Sequence, residues 1–253
     1  MKKVLVFDLD DTLCIAKTPI TDEMVAILIR LLERYEICII SGAMFEQFKI
    51  QVIDRLTNAT SEQLSKLHIM AAQGTRYIKF DPENNEWEAV YSNDLTDDQI
   101  KRTFVALEQA SRELGYWEEN PAGEIIENRD GTQVTLSALG QQADSEEKYA
   151  WDPDHKKREA IIKLAQPMIP DLEMRIGGTT SIDVTQPGFN KSFGVSELMK
   201  YLDVTMDDIL FFGDMTQPGG NDYPVVEMGV ETITVRDHIE TTNVLRGILA
   251  TND

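Results

Sequence analysis

Cysteine is scarce in this chain, and the two it has, Cys14 and Cys38, supply neither a disulfide framework nor a metal-ligand spacing. Both read as small core residues, and so few thiols suit a reducing cytoplasm. No apolar run reaches the ~18 residues that a membrane-spanning helix needs. Met-Lys-Lys leads straight into a strand, so no export signal is expected either. Positive charge is also short. Lys+Arg 24 against Asp+Glu 44 leaves a net charge of −20, which repels nucleic acid and anionic lipid. An anionic small substrate must therefore meet its positive charge locally, in a metal ion and a few Lys or Arg. Internal repeats and low-complexity segments are absent. What remains, 253 residues of which 42% are apolar, suffices for one large domain or for a core with a smaller inserted one.

The chemistry gathers at Lys3-Val4-Leu5-Val6-Phe7-Asp8-Leu9-Asp10-Asp11-Thr12-Leu13. An apolar run that ends in acids predicts a central parallel strand whose carboxyl end opens at the ligand crevice of an α/β sheet. Strand alternation puts Asp8 and Asp10 on one side, where two carboxylates repel unless they share a proton or a divalent cation. With a metal bound, one acid can stay ionised as a nucleophile while the other shuttles a proton. The same residues could also form an acidic turn that caps a helix through Asp11 or Thr12.

Further along, residues 21–34 predict a helix with Thr21 or Asp22 as cap and Met24, Ile27, Leu28, Leu31 and Leu32 on its apolar face. Ile37-Cys38-Ile39-Ile40 is a second buried strand. It ends in Ser41-Gly42, a hydroxyl and a flexible amide suited to a phosphate oxygen, though a plain strand-to-helix turn would use the same dipeptide. Residues 44–67 predict one helix, and 67–72 a third strand opened by His68, read as a packing residue. Alternation in 77–80 and 87–91 around Asp81-Pro82-Glu83-Asn84-Asn85 predicts a hairpin. Helices over 94–114 and 152–166, with strands at 123–127, 133–137, 172–176 and 180–184, predict an inserted α+β domain of about a hundred residues. Lys191 then precedes a helix, and Ile209-Leu210-Phe211-Phe212-Gly213-Asp214 is another buried strand that delivers a carboxylate, followed by Gly219-Gly220-Asn221-Asp222. Oxygen ligands from Asp8, Asp214 and a backbone carbonyl, completed by water, are what a small hard Mg2+ accepts. Residues 231–235 form a last strand.

These motifs in this order resemble the haloacid dehalogenase superfamily, and within it the eukaryotic-type phosphomannomutases and the microbial type IIB cap proteins similar to them. The family's F-G-D-K-T-x-P-G-G-N-D stands here as Phe212-Gly213-Asp214-Met215-Thr216-Gln217-Pro218-Gly219-Gly220-Asn221-Asp222. Its G-G-x-x-S-F-D-V stands as Gly177-Gly178-Thr179-Thr180-Ser181-Ile182-Asp183-Val184, and its G-W-D-K as Gly188-Phe189-Asn190-Lys191. The resemblance implies an α/β fold, a Rossmann-like core with a parallel sheet, and an α+β cap of the C2b type. The expected division is 1–84 core, 85–185 cap and 186–253 core. It implies an aspartyl-phosphate on Asp8, acid/base work by Asp10, phosphoryl contacts from Ser41 and Lys191, and Mg2+ held by Asp8, Asp10, Asp214, Asn221 and Asp222. Ser181 and Asp183 would hold sugar hydroxyls, and Arg129 of Asn128-Arg129-Asp130-Gly131 a phosphate.

The chain departs from that family at several points. Lys17 and Lys148 stand where the family has Arg, Gln141 stands for the Arg of S-P-I-G-R, and Asp11 replaces the usual Gly. Arg to Lys keeps the charge but loses the bidentate fork, and Arg to Gln removes the charge. The cap's hold on a second phosphate should therefore be weaker. The expected activity is Mg2+-dependent phosphoryl transfer on hexose phosphates, phosphomannomutase-like, with a hexose 1,6-bisphosphate as activator in the mutase case. A sugar-phosphate phosphatase is the alternative, and a sensor without catalysis would have no chemical need for Asp10. The expected partner is a small sugar phosphate rather than nucleic acid or membrane, and a homodimer through the cap is among the assemblies the resemblance allows.

Overall fold

The structure, a computed structural model, describes residues 2–252. It divides into two compact units, one made of the chain up to Ser92 together with the chain from Phe189, the other of Asn93–Gly188. In chain order the first unit begins with β1 (Val4–Phe7), α1 (Asp22–Leu32), β2 (Glu36–Ile40), α2 (Phe45–Gln51), α3 (Ser61–Leu64), β3 (Leu67–Ala71), β4 (Arg76–Asp81) and β5 (Glu86–Ser92). Thr21 caps α1, its Oγ accepting from Met24 N at 3.2 Å, and the five apolar residues read from the spacing are the ones α1 buries. The single helix expected over 44–67 is α2 and α3 instead. Val52 leaves helical geometry at φ −127°, and a Thr60/Gln63 capping box starts the chain into a helix again.

The second unit holds α4 (Asp97–Glu113), β6 (Ile126–Arg129), β7 (Gln133–Ser137), α5 (Ser145–Trp151), α6 (Lys156–Ala165), β8 (Glu173–Ile176) and β9 (Ser181–Thr185). Its sheet, ordered β6-β7-β9-β8, is antiparallel throughout. Leu107 and Ala110 of α4 and Ile161 and Ala165 of α6 pack on Val134, Leu136, Ile182 and Val184 from that sheet. The helix expected over 152–166 begins only at Lys156. Asp152 precedes Pro153, which disfavours helical geometry, and its carboxylate accepts from the amides of Lys157 and Arg158 instead. A helix not foreseen, α5, is capped by Asp144 and carries Lys148.

The chain then completes the first unit with α7 (Lys191–Leu202), β10 (Ile209–Gly213), α8 (Tyr223–Glu227), β11 (Glu231–Thr234) and α9 (His238–Asn252). The seven-stranded sheet runs β11-β10-β1-β2-β3-β4-β5, with the first five strands parallel, β4 antiparallel to β3, and β5 antiparallel to β4. β1 sits centrally and is buried on both faces. Leu5 and Phe7 join a core with Met24, Leu28 and Leu245, while Val4 and Val6 join another with Val195, Leu198 and Val225. That two-sided burial explains the unbroken apolar run. The expected boundary at 85 moves: β5 pairs with β4 along its length and extends the large sheet, so the inserted unit starts after Ser92. Among the described residues no helix is long and apolar enough to cross a membrane.

His68 on β3 is fully buried, with Nδ1 2.6 Å from the Tyr77 hydroxyl and Nε2 2.8 Å from Glu36 Oε2. Burial holds its pKa below the usual value, against the pull of Glu36. The folded state thus binds fewer protons than the unfolded one near pH 6.5, and this contribution, present above that pH, is lost as pH falls through it. Thermal melts should show the melting temperature dropping less between pH 7.5 and 5.5 in His68→Gln than in the unaltered protein. Equal slopes would show that His68 is not a source of acid sensitivity.

Candidate active site

The carboxyl ends of three neighbouring parallel strands build the site. β1 pairs with β10 in the register Phe7–Phe212 and with β2 in the register Phe7–Ile39, so Asp8, Asp214 and Ser41 leave the sheet at the same end. Asp8 is 4% exposed, and its amide donates to Phe212 O at 2.9 Å. Asp8, Asp214 and Asp222 each place a carboxylate oxygen within 4.8 Å of the others. Lys191, the first residue of α7, is fully buried, and its Nζ donates to Asp8 Oδ1 and to Asp222 Oδ1, the latter at 2.7 Å. The α7 start is fixed by Asn190, whose Oδ1 accepts from Ser192 N and Phe193 N. Asp222 comes close because residue 213 is glycine: a Cβ there would lie 2.5 Å from Asp222 Oδ2.

Of the three acids, Asp8 and Asp222 share one ammonium. Burial pushes Asp8 up to about 7; Lys191 pulls it down, and Asp222 and Asp214 push it up. Asp214 is raised by burial and then by Asp222. Burial opposes the charge on Lys191, but Asp8 and Asp222 outweigh it and hold its pKa above the usual range. An all-oxygen donor set with this excess of negative charge fits a hard divalent cation such as Mg2+, which would let the acids ionise together.

Asp10 is oriented differently. Its Oδ1 accepts from Lys17 N at 2.8 Å and from Gln51 Nε2 at 2.9 Å, and it is not one of the three acids that share a point. Lys17 therefore contributes its backbone to Asp10 while its side chain is exposed. Gln51 is fully buried and also donates to Thr18 O at 3.1 Å. Nothing in the sequence marks it, since a glutamine late in a helix has no local signature. Asp11 has φ 59°, the left-handed region that Asp tolerates and Gly occupies freely, which accounts for the exchange of one for the other at this turn. Ser41 is buried, its Oγ accepting from Ala43 N at 3.2 Å. Asn221 is exposed beside Asp222.

The inserted unit holds the other anticipated residues. Arg129 on β6, Gln141 and Lys148 do come together: Gln141 Nε2 donates to Glu127 Oε2, Arg129 Nε lies 3.5 Å from the same oxygen, and Lys148 Nζ donates to Gln141 O at 2.7 Å. Ser181 and Asp183 are neighbours on one face of β9, with Asp183 Oδ1 accepting from Thr135 Oγ1 at 2.8 Å. The hairpin between β8 and β9 is a four-residue connection, longer than a tight two-residue turn. Gly177 is needed there for space, because a Cβ would stand 2.9 Å from Asp183 Oδ2.

The parallel core, the acids at its strand ends and the inserted α+β unit define a phosphotransferase of the haloacid dehalogenase superfamily. Solved structures share the architecture. A Plasmodium falciparum IMP-nucleotidase superposes with TM-score 0.69 over 98% of this chain and 68% of its own, at 18% identity. A haloacid dehalogenase-like hydrolase from Bacteroides thetaiotaomicron gives 0.62 over 98% and 100%, at 16% identity. At these identities the likeness concerns the fold alone. The model of the family described as eukaryotic phosphomannomutase matches residues 24–250, and the chain belongs to that family. Among its relatives, a probable phosphomannomutase of Caenorhabditis elegans is 28% identical over 233 residues, 88% of this chain and 86% of that one. Phosphomannomutase 2 of Dictyostelium discoideum is 25% identical over 251 residues, 96% and 94%.

Proposed function

We propose that the protein transfers a phosphoryl group on hexose phosphates through an aspartyl-phosphate, in the manner of a phosphomannomutase. One observation carries this reading: a buried Asp8 at the end of the central strand, joined to Lys191 and within reach of Asp214 and Asp222. An Asp8 oxygen attacks phosphorus and the bond from phosphorus to the sugar oxygen breaks, Asp10 giving its proton to that oxygen. In the second half, a hydroxyl of the sugar gives its proton to Asp10 as its oxygen takes the phosphoryl group from Asp8. Lys191 and the Ser41 hydroxyl neutralise and orient the phosphoryl oxygens. Asp8, Asp214 and Asp222 would hold Mg2+, with Asp10 and Asn221 the other expected contributors, and the ion would supply charge neutralisation at the transferring group. Ser181 and Asp183 bind sugar hydroxyls. Arg129, Lys148 and Gln141 receive the phosphate that is not reacting.

Hydrolysis is the second reading, favoured by Gln141 in place of an arginine and by the Glu127 carboxylate drawn into the same cluster. A paired assay separates the two: phosphate release from hexose 1- and 6-phosphates, beside isomer conversion with and without added hexose 1,6-bisphosphate. Conversion that depends on bisphosphate supports the mutase, and release without conversion supports the phosphatase. Neither activity on any hexose phosphate would refute both readings.

Metal binding has its own readout. A cation that binds the folded acids but not the unfolded chain stabilises by ~2.7 kcal/mol at a hundredfold excess over its dissociation constant, or about 5 to 10 °C for a chain of this size. Mg2+ should raise the melting temperature by that much, and Asp214→Asn should abolish most of the rise. A full rise in Asp214→Asn would place the metal elsewhere.

A further inference from the structure

Two of the three groups of the inserted unit that would grip a phosphate, Gln141 and Arg129, converge on an anion the chain itself supplies, and the third, Lys148, holds one of them. Glu127 and Arg129 project from β6 at i and i+2, on one face of the strand. Glu127 Oε2 accepts from Gln141 Nε2 and lies 3.5 Å from Arg129 Nε, and both members of that ion pair have side chains only 20% exposed. Lys148, on α5, holds the Gln141 backbone carbonyl at 2.7 Å and so fixes the residue that donates to Glu127. The positions in which two donors meet one carboxylate oxygen are those in which they would meet a phosphoryl oxygen, since both are anionic acceptors of similar reach.

We infer that Glu127 is an internal stand-in for the second phosphate, a carboxylate that occupies the anion site of the inserted unit and must be displaced when a phosphoryl dianion binds there. This deepens the proposed function and rests on its assignment of Arg129, Lys148 and Gln141 to a phosphate. Glu127 places one negative charge 3.5 Å from Arg129 Nε, and its removal takes that charge out of the cluster. The carboxylate therefore works twice against an incoming dianion, by occupying the donors and by repelling the ligand. Hexose monophosphates with a hydroxyl at this end meet no such obstacle. Glu127 is thereby a specificity-determining residue that sets how readily the enzyme retains a bisphosphate.

Sulfate is the probe, because it is a dianion that is not turned over. Titrated into the full-length protein by calorimetry at constant ionic strength, it should bind Glu127→Gln about tenfold more tightly than the unaltered protein, the effect of removing one nearby charge at a partly exposed site. Glu127→Ala should move in the same direction, and circular dichroism will show whether each variant is folded. Adding Arg129→Gln to Glu127→Gln should abolish the gain. Unchanged or weaker sulfate binding in folded Glu127→Gln and Glu127→Ala would overturn the inference. In a second arm, the concentration of hexose 1,6-bisphosphate needed for half-maximal conversion should fall in Glu127→Gln. The sulfate result needs no turnover, so absence of hexose phosphate activity would defeat the functional reading while leaving the self-occupied anion site standing.

Discussion

Asp8→Asn should lose at least about 10⁴-fold in turnover while melting no lower than the unaltered protein. The amide cannot attack phosphorus, so the loss reports chemistry. Stability should move the other way, because the folded state raises Asp8 to about 7 through burial, only partly offset by Lys191. A carboxylate raised above its unfolded value stabilises the fold at low pH, and that contribution is lost as pH rises through the folded value. Without divalent cation at pH 8, Asn at this position removes a charge that the fold holds at a cost, and the melting temperature should rise. Asp10→Asn should lose about 10²-fold to 10⁴-fold, the usual share of general acid/base catalysis. A dead but destabilised Asp8→Asn would signal a structural carboxylate, and an active one, free of deamidated protein, would falsify the nucleophile assignment.

Much of this site is legible in sequence because of how a buried parallel sheet constrains its strands. β1, β2 and β10 are apolar on both faces, so the first polar residue after each must lie at the sheet's open end; Asp8, Ser41 and Asp214 follow from that rule. What lies off the strands was less readable. The capture of Asp222 by Lys191 spans 31 residues and depends on where α7 sets down relative to β10, which no local pattern encodes. Gln51, 41 residues from Asp10, reaches it from the last position of α2, a contact no local pattern encodes. The expected boundary at 85 cuts through the hairpin, whose alternation is the same whether it extends a parallel sheet or starts a new one. Trp87 and Tyr91 are only half-buried, yet they pack on the two cores of the large sheet, which the alternation alone does not reveal. The short helix α5 did have a readable start, Asp144 before Ser145-Glu146-Glu147, but seven residues give too little periodicity to outweigh the loop around it.

Lys191→Met should separate a lysine that merely balances acids from one that works on the phosphoryl group. The substitution leaves Asp8 and Asp222 buried without their shared ammonium, and breaking a buried pair from one side costs about 3 to 5 kcal/mol. For a chain of this size that is a fall in melting temperature of roughly 6 to 20 °C. Protonation offers Asp8 an escape. With the pull of Lys191 gone, burial raises Asp8 further, so the stability lost on raising the pH extends to higher values. The deficit should therefore be small at pH 5 and large at pH 8. Excess Mg2+ at pH 8 should recover much of it by supplying the missing positive charge to Asp8, Asp214 and Asp222. Turnover should not return with the melting temperature, because under the proposed mechanism the ammonium beside Asp8 is also the donor that meets the transferring oxygens. If Mg2+ restores both together, Lys191 serves only to balance the acids. A deficit equal at pH 5 and pH 8 would show that the lost stability comes from packing of the lysine stem rather than from its charge.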